Sequence, residues 1–172
     1  VLAERERVLG ADHPDTLTVR NNLAVAYKSA GRFGEAIELF ERVLAEYEWV
    51  LGADHLDTLN TRNNLASTYK SAGRFGEAIE LYEQVLAERE RVLGADHPDT
   101  LTVRNNLAGA YDSAGRLAEA IDAWKELLPD CQRILGADHP DTLAVRNNLA
   151  VAYYSVGRFG EAVELFEQVL AE

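Results

Sequence analysis

The stretch NNLAVAYKSAGRFGEAIELFERVL, Asn21 to Leu44, decides the fold. It returns with few changes as Asn63 to Leu86, Asn105 to Leu128 and Asn147 to Leu170, a shift of 42 residues each time. Inside it, Leu23, Ala24, Tyr27 and Ala30 fall near helical spacing, and Gly31 supplies the left-handed residue on which a helix ends. A second apolar stripe follows from about Phe33, with Ala36, Ile37, Phe40, Val43, Leu44, Tyr47, Val50 and Leu51 at steps of three and four, until Gly52 stops it. Upstream, Pro14 suits the first turn of a helix, where its missing N–H costs nothing, so helix A is predicted from Pro14 to near Ser29. Two antiparallel helices joined by a short turn then carry apolar stripes too wide for each other. The surplus is buried on the next copy, which makes a one-dimensional stack of hairpins.

The whole chain of 172 residues reads as a single repeat array with units 1–42, 43–84, 85–126 and 127–168 and a partial restart at 169–172. Units starting at Val1 and Val85 differ at only nine positions, as recent duplication or deliberate design would leave them. The formal net charge of -12 repels phosphate backbones and anionic lipid, so neither nucleic acid nor membrane is an expected partner. No apolar run approaches the roughly 20 residues of a membrane helix. One cysteine, Cys131, excludes an internal disulfide and a Cys-only metal cage, which fits a reducing, cytoplasmic location. Methionine is absent, and the sequence is read as a segment of something longer.

The block Asn22, Leu23, Ala24, Tyr27, Gly31, Phe33, Glu35, Ala36, Ile37, Phe40, Val43 and Leu44 resembles the tetratricopeptide repeat (TPR). The unit is eight residues longer than the common form. The proline that usually ends helix B is replaced by the run from Leu51 to Leu59, whose counterparts elsewhere read Leu-Gly-Ala-Asp-His-Pro-Asp-Thr-Leu, so the chain is similar to kinesin light chain and long bacterial arrays. The resemblance implies an all-α, right-handed superhelical solenoid whose A helices line a concave groove, used to bind proteins or extended peptides without catalysis.

His13 between Asp12 and Asp15 has the donor types of a metal or acid–base site. The set recurs in every unit, however, and helix start with inter-repeat packing is the simpler reading. No metal, cofactor or enzymatic activity is expected, since no phosphate loop, paired-cysteine motif or Ser-His-Asp context is present. The paired asparagines are more informative, because one amide satisfies both a peptide N–H and a peptide C=O. Thr18, Asn21, Asn22, Val25, Lys28 and Ser29 share a face opposite Leu23 and Tyr27. Asn21 reads more readily as a ladder bonding the neighbouring repeat's backbone. Asn22, Asn64, Asn106 and Asn148 are open to either role, and by resemblance they fall where family members hold extended peptides. Lys28, Lys70, Asp112 and Tyr154 occupy one variable position on that face and would discriminate side chains, unless they only mark a drifting solvated surface. Trp49 is expected at the surface or an interface, Trp124 in the core, and Cys131 as an inert thiol.

The ends are complementary halves of helix B. Val1, Leu2, Val8 and Leu9 at one end and Phe159, Ala162, Val163, Phe166, Val169 and Leu170 at the other could complete one helix between molecules. The alternative function is therefore a structural spacer assembling as head-to-tail homo-oligomers.

Overall fold

The computed structural model describes residues 13–170. Among them are eight helices and no strand: α1 (Pro14–Ser29), α2 (Phe33–Leu51), α3 (Leu56–Ser71), α4 (Phe75–Leu93), α5 (Pro98–Ser113), α6 (Leu117–Ile134), α7 (Pro140–Ser155) and α8 (Phe159–Leu170). Helix A and helix B alternate, with α1, α2 and α3 packed in sequence in one part and α5, α6, α7 and α8 in the other, and the fold is an all-α solenoid of helical hairpins. The residues form two compact units, Val1–Glu88 and Arg89–Glu172, with the boundary inside α4.

Each helix A starts on a histidine. His13, His55, His97 and His139 are extended in backbone, and each Nδ1 accepts the backbone N–H two residues on, at 3.1–3.2 Å. The imidazole thus satisfies one of the four orphan donors of a helix start. Leu56 replaces the proline of the other repeats, yet α3 begins at the same place because His55 supplies the cap. The other end closes with a left-handed glycine. Gly31 has φ +73°, its N–H bonds Lys28 C=O at 3.0 Å, and Arg32 N–H reaches back to Tyr27 C=O at 2.9 Å. This is the paired bonding of a Schellman stop. The Arg32 guanidinium also lies 4.3 Å over the Tyr27 ring, so the contact that normally seals such a stop is here a cation–π stack. All four A helices end in this way.

In the first unit Leu17 and Ala24 of α1 meet Ala36, Ile37, Phe40, Val43 and Tyr47 of α2, and Leu65 of α3 joins them. In the second, Leu101 and Ala108 of α5 pack with Ile121, Trp124 and Leu127 of α6 and with Val145, Leu149 and Tyr153 of α7. Each fully buried large side chain contributes roughly 1.5–3 kcal/mol. The alanines at 24, 66, 108 and 150 on A helices and at 36, 78, 120 and 162 on B helices are all buried, which lets the paired backbones approach closely. Thr58 and Thr100 are fully buried and donate to Gly52 C=O at 2.8 Å and Gly94 C=O at 2.9 Å, joining the end of one helix B to the next helix A. Helix α6 runs unbroken through Pro129, where the corresponding positions of other repeats hold Ala45 and Ala87. Leu127 and Cys131, both buried, anchor it on either side.

Candidate functional site

The A helices present one polar face in each unit. In the first unit Asn21 Oδ1 accepts from Thr61 Oγ1 of α3 at 3.2 Å, so this amide ties one repeat to the next. In the second, Asn105 Oδ1 accepts from the Trp124 indole at 2.8 Å and from Asn148 Nδ2 at 3.3 Å. At these two places the asparagine thus bonds a side chain of the next helix A rather than its backbone. Asn22 is exposed, while Asn64, Asn106 and Asn148 are half-buried, and Asn148 spends one amide hydrogen on the ladder. Val25 remains 38% exposed although α3 packs beside α1, so this strip stays open to solvent when a following hairpin is in place.

The variable position differs sharply between the units. Lys28 donates to Ser67 Oγ at 2.5 Å, and burial, reinforced by the Lys70 charge, holds its ammonium below the usual lysine range. Ser67 also bonds the phenol of Tyr82, whose pKa burial pushes up to about 12. Lys28, Ser67 and Lys70 thus make a small cationic strip. In the second unit the same places hold Asp112, half-buried, and Tyr154, 63% exposed with its ring edge-on to Phe159 at 5.4 Å.

Val1, Leu2, Val8 and Leu9 lie outside the described residues. On α8, Phe159, Val163 and Leu170 are exposed, Phe166 and Val169 half-buried. Ala162 departs from the expectation. It is buried within its own hairpin, because it is one of the small residues on which helix A and helix B meet.

Sequence reasoning missed a set of arginines, one buried and two half-buried, paired with acids of the following helix B. Arg62 is almost fully buried, donating to Glu48 Oε1 at 2.6 Å and to Glu88. Arg20 meets Glu46 at 2.6 Å and Arg104 meets Asp130 at 2.8 Å, again with the acid 26 residues on. The signal was available as an arginine and a carboxylate recurring at that interval, but arginine on a helix ordinarily reads as solvated surface. A cleft of ≈ 380 Å³ opens between α1 and α2, lined by Arg20, Leu23, Tyr27, Glu35, Glu38, Leu39, Arg42 and Glu46. One repeat later Leu65 and Tyr69, the counterparts of Leu23 and Tyr27, are covered by α2, and Tyr69 Oη donates to Glu41 at 2.7 Å. The cleft is thus a repeat-packing surface. Among the described residues no group of three or more His, Cys, Asp or Glu could hold a metal ion, and no helix is long and apolar enough to cross a membrane.

The sequence profile described as tetratricopeptide repeat matches residues 16–57 and 58–99, and a second profile of the same description matches 113–171. The chain belongs to the tetratricopeptide repeat family. Among solved structures it is similar to nearly identical TPR-like repeats of a kinesin light chain candidate from Podosopora anserina, with a TM-score of 0.82, 36% identity, and coverage of 99% of this chain and 81% of that one. It is also similar to BtubC (BKLC) from P. vanneervenii, with a TM-score of 0.81, 26% identity and coverage of 98% and 68%. MamA AMB-1 aligns at a TM-score of 0.62 and 27% identity, over 89% of this chain and 76% of that one. No curated protein matches. TPR arrays are generally non-catalytic scaffolds for protein–protein interaction.

Proposed function

We propose that this TPR array binds an extended segment of a partner protein along its helix-A faces. Asn22, Asn64, Asn106 and Asn148 grip the peptide backbone, and Lys28, Lys70, Asp112 and Tyr154 select side chains. The carrying observation is that the strip bearing these residues stays accessible beside a packed neighbour, as Val25 does, while the Asn21 and Asn105 amides are used to tie repeats together. Backbone capture by amides gives affinity with little sequence preference, and the variable position adds the preference. Screening a peptide library against the chain tests this. Changing the four gripping asparagines to alanine, with helicity retained by circular dichroism, abolishes capture of the selected peptides if the reading is right. Unchanged capture refutes it.

A second reading rests on α8. Val163 is 53% exposed, whereas Ile37 and Ile121 at the same repeat position are 6% and 5% exposed beneath the following helix A. In the 172-residue chain a second copy can supply that helix from its own α1, giving head-to-tail association. Light scattering over a wide concentration range is expected to show growth that Phe166→Glu removes, and a constant monomer mass would exclude it.

A further inference from the structure

Four times this chain holds an arginine in one way, with the guanidinium stacked on a tyrosine and forked onto a carboxylate. Arg32 lies 4.3 Å over Tyr27 and bonds Glu35, and Arg74, Arg116 and Arg158 repeat this with Tyr69 and Glu77, Tyr111 and Glu119, and Tyr153 and Glu161. The helix-A face of the second unit carries the tyrosine and the carboxylate of that arrangement without its arginine. Tyr154 is largely exposed, braced edge-on by Phe159. Among the described residues no hydrogen bond or ion pair is made by the Asp112 carboxylate.

Repeat equivalence sets the two side by side. Helices α5 and α7 are in contact, and their seam is marked by the Asn105–Asn148 bond at 3.3 Å. Asp112 lies two turns beyond Asn105, and Val151 and Tyr154 follow Asn148 along α7. In the first unit the corresponding residues are Lys28, Ser67 and Lys70, and there the side chain of the first reaches that of the second at 2.5 Å. By this equivalence Asp112 stands on the side of α5 that meets Val151 of α7, with Tyr154 one turn on.

We propose that Asp112 and Tyr154, with Phe159 behind the ring, form a seat for an arginine side chain of the bound segment. The carboxylate takes the guanidinium fork, and the tyrosine face takes its plane. The net charge of -12 steers cationic segments toward the chain, and here the carboxylate and the aromatic face add a preference for the flat cation over the ammonium of lysine. This rests on the helix-A reading above and names one residue class that it selects.

The ¹⁵N-labelled chain is titrated with acetyl-Gly-Arg-Gly-amide, and the same tripeptide bearing citrulline, lysine or glutamate serves as comparison. The expected result is saturable shifts of backbone signals within 109–113 and 151–159, about 5-fold weaker with citrulline and absent with glutamate. Asp112→Lys should abolish them. Lysine is the native residue at this repeat position in α1 and α3, so the fold accommodates it, and Asp112→Asn gives a second variant expected to bind weakly. Absence of saturable shifts at these signals, equal response to citrulline or glutamate, or unchanged binding by both Asp112 variants would overturn the seat. If library peptides still depend on the four asparagines while showing no preference for arginine, the seat falls and the groove stands. Loss of both would fell the groove itself.

Discussion

The Tyr47 phenol meets the Thr18 hydroxyl at 3.1 Å, whereas Cys131, its counterpart in the second unit, leaves a cavity of ≈ 30 Å³ beside Thr102 and Asn105. The thiol is buried, and burial pushes its pKa up to about 11, so it neither fills the space nor ionises near neutrality. Cys131→Tyr is expected to raise stability by about 1 kcal/mol, by occupying the cavity and restoring the bond to Thr102. Urea denaturation with an unchanged slope and a higher midpoint would bear this out. A lower midpoint would mean that the surrounding helices cannot admit the ring.

Pro129 is the second departure from repeat consensus in the same helix. It lacks the N–H that would bond the Lys125 carbonyl, and its ring crowds the preceding turn, a cost of roughly 3 kcal/mol in a helix interior. Solvent relieves part of this, because Pro129 lies on the exposed side. Pro129→Ala, the residue at positions 45 and 87, is expected to stabilise the chain by about 2 kcal/mol, read as a rise in melting temperature.

What the sequence made legible and what it hid have one physical origin. A position that repeats four times with the same apolar or capping residue can be assigned from pattern alone. The helix starts at the histidines, the glycine stops and the core position that Trp124 shares with Phe40 were legible in this way, whereas the burial of Cys131, which stands where other repeats hold Tyr47 and Arg89, was not. Arg62 was not, because its burial depends on two acids from different helices that only packing brings together. The use of Asn105 was hidden for a similar reason. Its acceptor is filled by the indole that replaces Phe40 and by an amide from the next repeat, neither adjacent in sequence. Of the proposed partner strip, the residues were legible, while the contrast between a cationic strip and an aromatic–carboxylate pair required the helices in place.

Acid should weaken the chain in a defined window. The arginine beside each of Glu35, Glu77, Glu119 and Glu161 holds its carboxyl below the usual glutamate range, and Arg104 and Arg133 do the same for Asp130. A depressed folded-state pKa contributes stability above the unfolded value, and that contribution is lost as pH falls through the folded value. Stability is therefore expected to be level near neutrality and to fall below about pH 4.5. Arg116→Gln, which releases one of these glutamates, should make that fall shallower in denaturation curves taken between neutrality and pH 3.

Arg62 offers the sharpest energetic test, since its side chain is nearly buried while Glu48 and Glu88 remain partly in water. Truncation and replacement should then differ. Arg62→Ala leaves a cavity beneath two acids that have lost their shared cation, and a cost of about 2–3 kcal/mol is expected, less than for a fully buried pair because solvent reaches both glutamates. Arg62→Met keeps the aliphatic packing and removes the buried charge, and the carboxylates can turn outward, so the loss should stay under about 1 kcal/mol. Equal destabilisation by the two variants, measured by chemical denaturation at neutral pH, would show that the ion pairs rather than the packing of the stem hold the repeats at this seam.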